Sequence, residues 1–118
     1  MQTHTNNPDV LAAYPHVVFH EGGVRDVYLA VRNAIHCGAK LVTHPQSGNL
    51  APNESPYKTV VVTAGTGGLD FNSLQLMEAA ITFCDRLPPA PANLPAQVLA
   101  DFRMIDFALI KDTLDNAL

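Results

Sequence analysis

The sequence predicts an α/β fold: a small, mainly parallel sheet of about four strands flanked by three main helices, in a Rossmann-like sandwich. Three observations predict it. Short runs rich in β-branched residues alternate with longer stretches of helical period. One of those stretches, 23–37, joins two strand-like runs, which suits a right-handed parallel crossover. The run Thr59-Val60-Val61-Val62 is apolar without alternation, as expected for a strand buried on both faces.

The elements follow in order. Gln2-Thr3-His4-Thr5 carries little apolar surface and is inferred as a first strand from its position. Asn7 is placed to cap a short helical turn over Val10–Ala13, with Pro8 opening it. His16–His20 reads as a second strand, and Gly22-Gly23 breaks the chain after it. Val24, Val27, Tyr28, Val31 and Ile35 recur at helical spacing, and Gly38 is the expected C-terminal cap. Leu41–Thr43 and Tyr57–Thr63 read as strands. Asp70 is a good N-cap for a helix reaching about Leu87, with Leu74, Met77, Ile81 and Cys84 as its apolar stripe. Pro88-Pro89-Ala90-Pro91 ends that helix. A last helix spans about 95–115, with Val98, Phe102, Ile105 and Leu109 on one apolar row and Leu99, Ile110 and Leu114 on the next. So broad a face serves the core, or the core and a second copy of the chain.

A chain of 118 residues suits a single domain over 1–118. With 47% hydrophobic residues it belongs to the globular class. Seven basic and eleven acidic residues, spread along the chain, offer no cluster to neutralise phosphates, so nucleic acid is not an expected partner. No apolar run approaches the roughly 18 residues of a membrane helix, and the N-terminus lacks a signal-peptide pattern. Cys37 and Cys84, both in helical segments, read as buried thiols of a cytoplasmic protein.

The stretch "THPQSGNLAPNESPYK", 43–58, raises the functional question. Long connections in small domains are uncommon and often functional. His44, Ser47, Asn53, Glu54, Tyr57 and Lys58 supply donors, acceptors and a titratable imidazole within it. Asn6 and Asn7 leave the first strand. If the strands before the two segments are parallel neighbours, both segments line one rim, where α/β ligands bind. Turn chemistry is the plainer reading of Asn and Ser beside Pro or Gly, and Glu54 with Lys58 could form a surface ion pair. Whether 45–57 turns back as a wide hairpin or crosses the sheet is open.

Other motifs are weaker. Gly65-Thr66-Gly67-Gly68 sits where phosphate loops occur, but its fingerprint is incomplete and Asp70 follows it. His16 and His20 on one strand would lie roughly 13 Å apart, too far for one metal ion. No metal ligand set, Ser-His-acid arrangement or paired carboxylates stand out.

The motifs "TNNP" at 5–8, "THPQSG" at 43–48 and "PNESPYK" at 52–58 resemble the GrdX family, as do "DVYLAVRNAIHCGAKL", "LDFNSLQLMEAAI" and "DFRMIDFALI". The resemblance covers most of the chain. It implies an accessory protein encoded beside the glycine, sarcosine and betaine reductase system of bacteria, with no assigned catalytic step and no cofactor. It also implies reductase subunits as partners. Read from the residues, the loop is the surface for such a partner or for a small carboxylated ligand. An alternative is a small enzyme acting on an amino-acid-like or carboxylated metabolite, with His44 as acid or base and Asn6 and Asn7 orienting substrate. A second alternative is an oligomerisation module, as a homodimer through the last helix.

Overall fold

A computed structural model describes residues 1–46, 51–65, 67–88 and 91–117. Among them run β1 (Gln2–Thr5), α1 (Pro8–Ala13), β2 (Val18–Phe19), α2 (Val24–His36), β3 (Thr59–Val62), α3 (Phe71–Arg86) and α4 (Ala96–Ala117). The α/β class is as expected, but the sheet differs. It has three strands in the order β2-β1-β3, with β1 parallel to β2 and antiparallel to β3. It is mixed, not the mainly parallel, about four-stranded, Rossmann-like sheet that was anticipated.

The missing strand has an identifiable cause in its hydrogen bonds. Residues 40–43 do run beside β3, but they form one isolated bridge, Leu41 to Val62, antiparallel. The amides of Val42 and Thr43 both donate to the Val61 carbonyl, at 2.8 and 3.2 Å. Leu41 N–H instead donates to Ser73 Oγ of α3 at 3.0 Å. Two donors on one acceptor, and one donor drawn away, prevent a regular ladder. Since this segment opposes β3, it runs parallel to β1, with β3 between them rather than as a direct neighbour. The connection 44–58 therefore returns as a wide hairpin.

The valines of β3 divide the core. Val60 and Val62 pack with Val27, Tyr28, Val31 and Ile35 of α2 and with Met77, Ala80 and Ile81 of α3. Val61 points the other way, to Val10, Tyr14, Val17 and the α4 residues Ile110 and Leu114. Alternation along the strand thus supplies both interfaces of a three-layer body. All three valines are 0% exposed, as the unalternating run predicts.

Helix ends explain the remaining boundaries. Asn7 caps α1 by accepting from Asp9 N–H at 3.0 Å, with Pro8 in the first turn. Gly23 precedes α2, and its N–H donates to Asp26 Oδ2 at 2.8 Å. At the other end Gly38 takes φ 103°. Gly38 N–H donates to Ile35 O, and Ala39 N–H reaches back to Ala34 O, both at 3.0 Å, so the last carbonyls of α2 are satisfied. A Cβ on Gly65 would stand 2.8 Å from the Cys37 carbonyl. That glycine is needed for close packing on this helix end, which accounts for part of the glycine-rich stretch without a phosphate; Thr66 lies outside the described residues. Asp70 caps α3 through Ser73 N–H at 3.1 Å.

Two expectations about burial fail. Cys37 is exposed and Cys84 half-buried. On α4 the buried row is Asp106, Ile110 and Leu114, whereas Ile105 and Leu109 are 40% and 51% exposed. The helix turns its second apolar row inward because that row continues through Phe107 onto Tyr14. Among the described residues no helix is long and apolar enough to cross a membrane.

Candidate functional site

Both polar connections arrive at the end of β1, and the amides of Asn6 and Asn7 hold them there. Asn6 Oδ1 accepts from Lys58 N–H at 2.8 Å. Its Nδ2 donates to Pro56 O at 2.8 Å and to Gly22 O at 3.0 Å. One side chain therefore ties β1 to the turn after β2 and to the returning loop, replacing peptide partners that irregular backbone lacks. Asn7 Nδ2 donates to Arg103 O at 2.9 Å and to Asp106 Oδ2 at 3.0 Å. These amides brace the rim; their hydrogen bonds go to the protein itself.

Beneath them lies a directed polar chain. Asn7 N–H donates to Thr5 Oγ1 at 3.0 Å. Thr59 Oγ1 donates to Asp106 Oδ2 at 2.7 Å. A hydroxyl has one proton, so Thr59 must accept in its 2.8 Å contact with Thr5 Oγ1. Every hydrogen in the chain points toward Asp106, which is 8% exposed, and its Oδ2 receives two of them. Such convergence compensates a carboxylate for lost water.

Asp106 also forms the floor of a cleft of about 220 Å³, lined by Thr43, His44, Lys58, Thr59, Leu109, Ile110 and Thr113. A smaller adjoining hollow of about 20 Å³, room for one water, is lined by Ser55, Tyr57, Lys58 and Asp106 among others. Burial lowers the proton affinity of Lys58, and the nearby Asp106 charge opposes that effect. Thr43 Oγ1 accepts from Val61 N–H at 3.0 Å, which leaves its own proton to donate. His44 is exposed at the edge; its Nδ1 accepts from Gln46 N–H at 3.0 Å, so the neutral ring carries its proton on Nε2.

The other expected site residues separate. Tyr57 is half-buried, accepts at its hydroxyl from Arg103 Nη1 at 3.0 Å, and lies under that guanidinium, 5.5 Å from the ring centre. It locks the loop to α4. Glu54 turns back to accept from Ala51 N–H at 3.1 Å, which is turn chemistry and not an ion pair with Lys58. Asn53 points away, donating to Pro88 O at 3.3 Å and lining a different groove with Val24, Arg25, Cys84 and Asp85. Ser47 lies outside the described residues. Of the residues singled out, the structure brings His44 and Lys58 to one cleft, with Tyr57 beside it and Asn6 and Asn7 behind it.

Asp106, Arg103, Thr43, Thr59 and Thr113 were not anticipated. A charged helical residue ordinarily reads as a solvated face. The available signal was its position: Asp106 stands four and eight residues before Ile110 and Leu114, on the row that turned out to be buried. His4 was also missed. It is 5% exposed, stacks on His20, and its Nδ1 lies 3.0 Å from His20 Nε2. The expected strand at 16–20 shortens to two residues, and His20 packs on His4 of β1.

Comparison with curated proteins and with solved structures gives no match. The GrdX-like protein family matches residues 3–115, nearly the whole length, and the chain belongs to that family.

Proposed function

We propose that this chain is an accessory binding protein of the glycine, sarcosine and betaine reductase system, acting in the cytoplasm with no catalytic step of its own. Its recognition surface is the cleft between the 43–58 connection and α4. The observation that supports this reading is the meeting of Lys58 and His44, from the long loop, with Asp106, from α4, on one cleft. Loop and helix are joined there by buried and half-buried hydrogen bonds through Asn6, Asn7 and Tyr57. The loop residues fixed by these bonds, 56–58, present their polar groups without a large ordering cost on binding.

The test is co-purification of tagged protein with reductase subunits from glycine-grown cells. Retention of subunits by wild type, and their loss on substitution of Lys58 by Glu, is the expected result. Equal retention by both, or none by wild type, contradicts the proposal.

A second reading keeps His44 as acid or base on an amino-acid-like or carboxylated metabolite, supported by its place at the cleft edge. Turnover by wild type that His44→Ala abolishes would favour it; equal turnover would remove it. The homodimer alternative has a weaker support in the exposure of Met104, Ile105 and Leu109 on α4, and solution mass measures it directly.

A further inference from the structure

We infer that a second copy of this chain docks on the outer face of α4, as a twofold dimer whose two α4 helices run antiparallel and cross between Met104 and Ala108. The inference goes beyond the binding role proposed above. It gives the homodimer named there a definite face, direction and register.

Spacing is the first argument. Gln97, Asp101, Met104, Ala108, Lys111 and Asp115 follow one another at steps of four, three, four, three and four. Positions so spaced form one straight seam along a helix, the pattern through which two helices pack side by side. Every residue of the seam is exposed, Met104 by 62%. The core uses a different row of α4, Asp106, Ile110 and Leu114.

Charge is the second, and it selects the occupant. With two helices antiparallel and Met104 opposite the partner's Ala108, Asp101 stands opposite the partner's Lys111, and Gln97 opposite the partner's Asp115. Twofold symmetry makes each pairing occur twice. The centre is then a thioether over a small methyl group, and outward from it carboxylate meets ammonium and amide donor meets carboxylate. The bonds these groups already make lie within their own helix: Gln97 Nε2 donates to Asp101 Oδ1 at 2.9 Å, and Lys111 pairs with Asp115. An ammonium has three hydrogens and an amide nitrogen two, so the cross-pairs add to these bonds without breaking them.

Other arrangements fail on the same residues. A parallel pair sets Asp101, Lys111 and Asp115 each against its own like charge. Sliding the antiparallel pair by one heptad sets a charge on the apolar centre, Asp101 on Met104 in one direction and Lys111 on Ala108 in the other.

The flanks are the third. Ile105 and Phe107 stand on either side of the seam's centre, where each comes close to its own symmetry mate. Ile105 is 40% exposed, and Phe107 shares an open groove with Met104 and with Ala12 and Ala13 of α1. Those two alanines are exposed and short, so α1 does not obstruct an approaching helix. From Gln97 to Asp115 the seam is about 27 Å long at about 1.5 Å per residue. A contact of that length belongs at the low end of specific interfaces, below about 1,200 Å² in total, so the dimer forms as concentration rises. Asp106 lies on the other side of the helix, and its cleft stays open in the dimer.

The experiment is sedimentation of the full chain over a wide concentration range. Wild type is expected to pass from the mass of one chain to that of two. Asp101→Lys and Lys111→Asp each oppose like charges at both symmetric pairs, and each is expected to raise the dissociation constant at least tenfold. Mixed in equal amounts, the two variants are expected to associate with each other to within severalfold of wild type, because each supplies the charge the other lacks. Both positions are exposed, so neither variant tests folding. Wild type that stays a single chain throughout overturns the inference. So does a dimer that neither charge reversal weakens, which would place the second copy on another face, and so does failure of the mixed variants to associate. A single-chain wild type whose capture of reductase subunits is lost in Met104→Lys also overturns it, by giving this face to a different protein. If the dimer behaves as expected while no subunit is retained by wild type, the accessory role falls and the contact stands. If subunits are retained while the chain stays single, the contact falls and the accessory role stands.

Discussion

The two faces of the sheet are built differently. Toward α2 and α3 the interface is apolar: Val60 and Val62 meet Tyr28, Ile35, Met77 and Ile81. Toward α1 and α4 the apolar part is smaller, and it is continued at one end by Thr5, Thr59, Asn7 and Asp106. β1 and β3 serve both faces, so backbone does not explain the contrast. The side chains do: Thr5 and Thr59 are cross-strand partners on one face, while the next pair inward, His4 and Val60, faces the other. One face holds the body together; the other combines apolar contact with a carboxylate held in a fixed orientation beside a cleft.

Substitutions distinguish the two faces. Met77 is 0% exposed on the apolar face. Met77→Ala is expected to lower unfolding free energy by about 2–5 kcal/mol, measured by denaturant titration, because transfer and cavity terms add. On the polar face, Asp106→Leu strands the Thr59 hydroxyl and one Asn7 N–H, and a loss of about 2 kcal/mol is expected. Asp106→Asn retains an acceptor and should lose about 1 kcal/mol or less. If the leucine variant were as stable as the asparagine one, the polar chain would not be the organising feature described.

The His4–His20 pair lies at the edge of the apolar face. Burial, reinforced by the neighbouring His20, lowers His4 from the ordinary 6.5 to about 4. The unfolded chain thus binds more protons than the folded one between these values. Stability therefore rises with pH across that window and is lost as pH falls from about 6.5 to 4. The full shift corresponds to at most about 3 kcal/mol, and nearer 1–2 once solvent screening at half-buried His20 is allowed for. His4→Gln should flatten the midpoint-against-pH curve in this range. Smallest of all, Asn53→Ala, in the separate groove, should change stability by less than about 0.5 kcal/mol and leave co-purification unaltered.

Much of the frame was legible because its signals are local. The Asn7-Pro8 start, the Gly38 cap, the Asp70 cap and the valine run each depend on a few neighbouring residues. The sheet was less so. Whether 40–43 becomes a strand turns on a side chain 32 residues away, Ser73, taking the Leu41 amide. The site was half legible. His44 and Lys58 were visible as chemistry in a long loop, and Asn6 and Asn7 as amides at a strand end. Asp106 was hidden because its partners, Asn7 and Thr59, are distant in sequence, and only the fold converts an ordinary helical aspartate into the floor of a cleft. Asn53 and Glu54 show the reverse: polar loop residues whose bonds, once seen, lead elsewhere or close their own turn.

The most direct test of the difference between the faces is hydrogen-exchange mapping of the chain alone and bound to captured reductase subunits. Added protection confined to residues 43–46, 57–59 and 106–113 is the predicted result. Protection centred instead on Val24, Arg25, Asn53 and 84–88, with the Asp106 cleft unchanged, would contradict the assignment of recognition to the polar face.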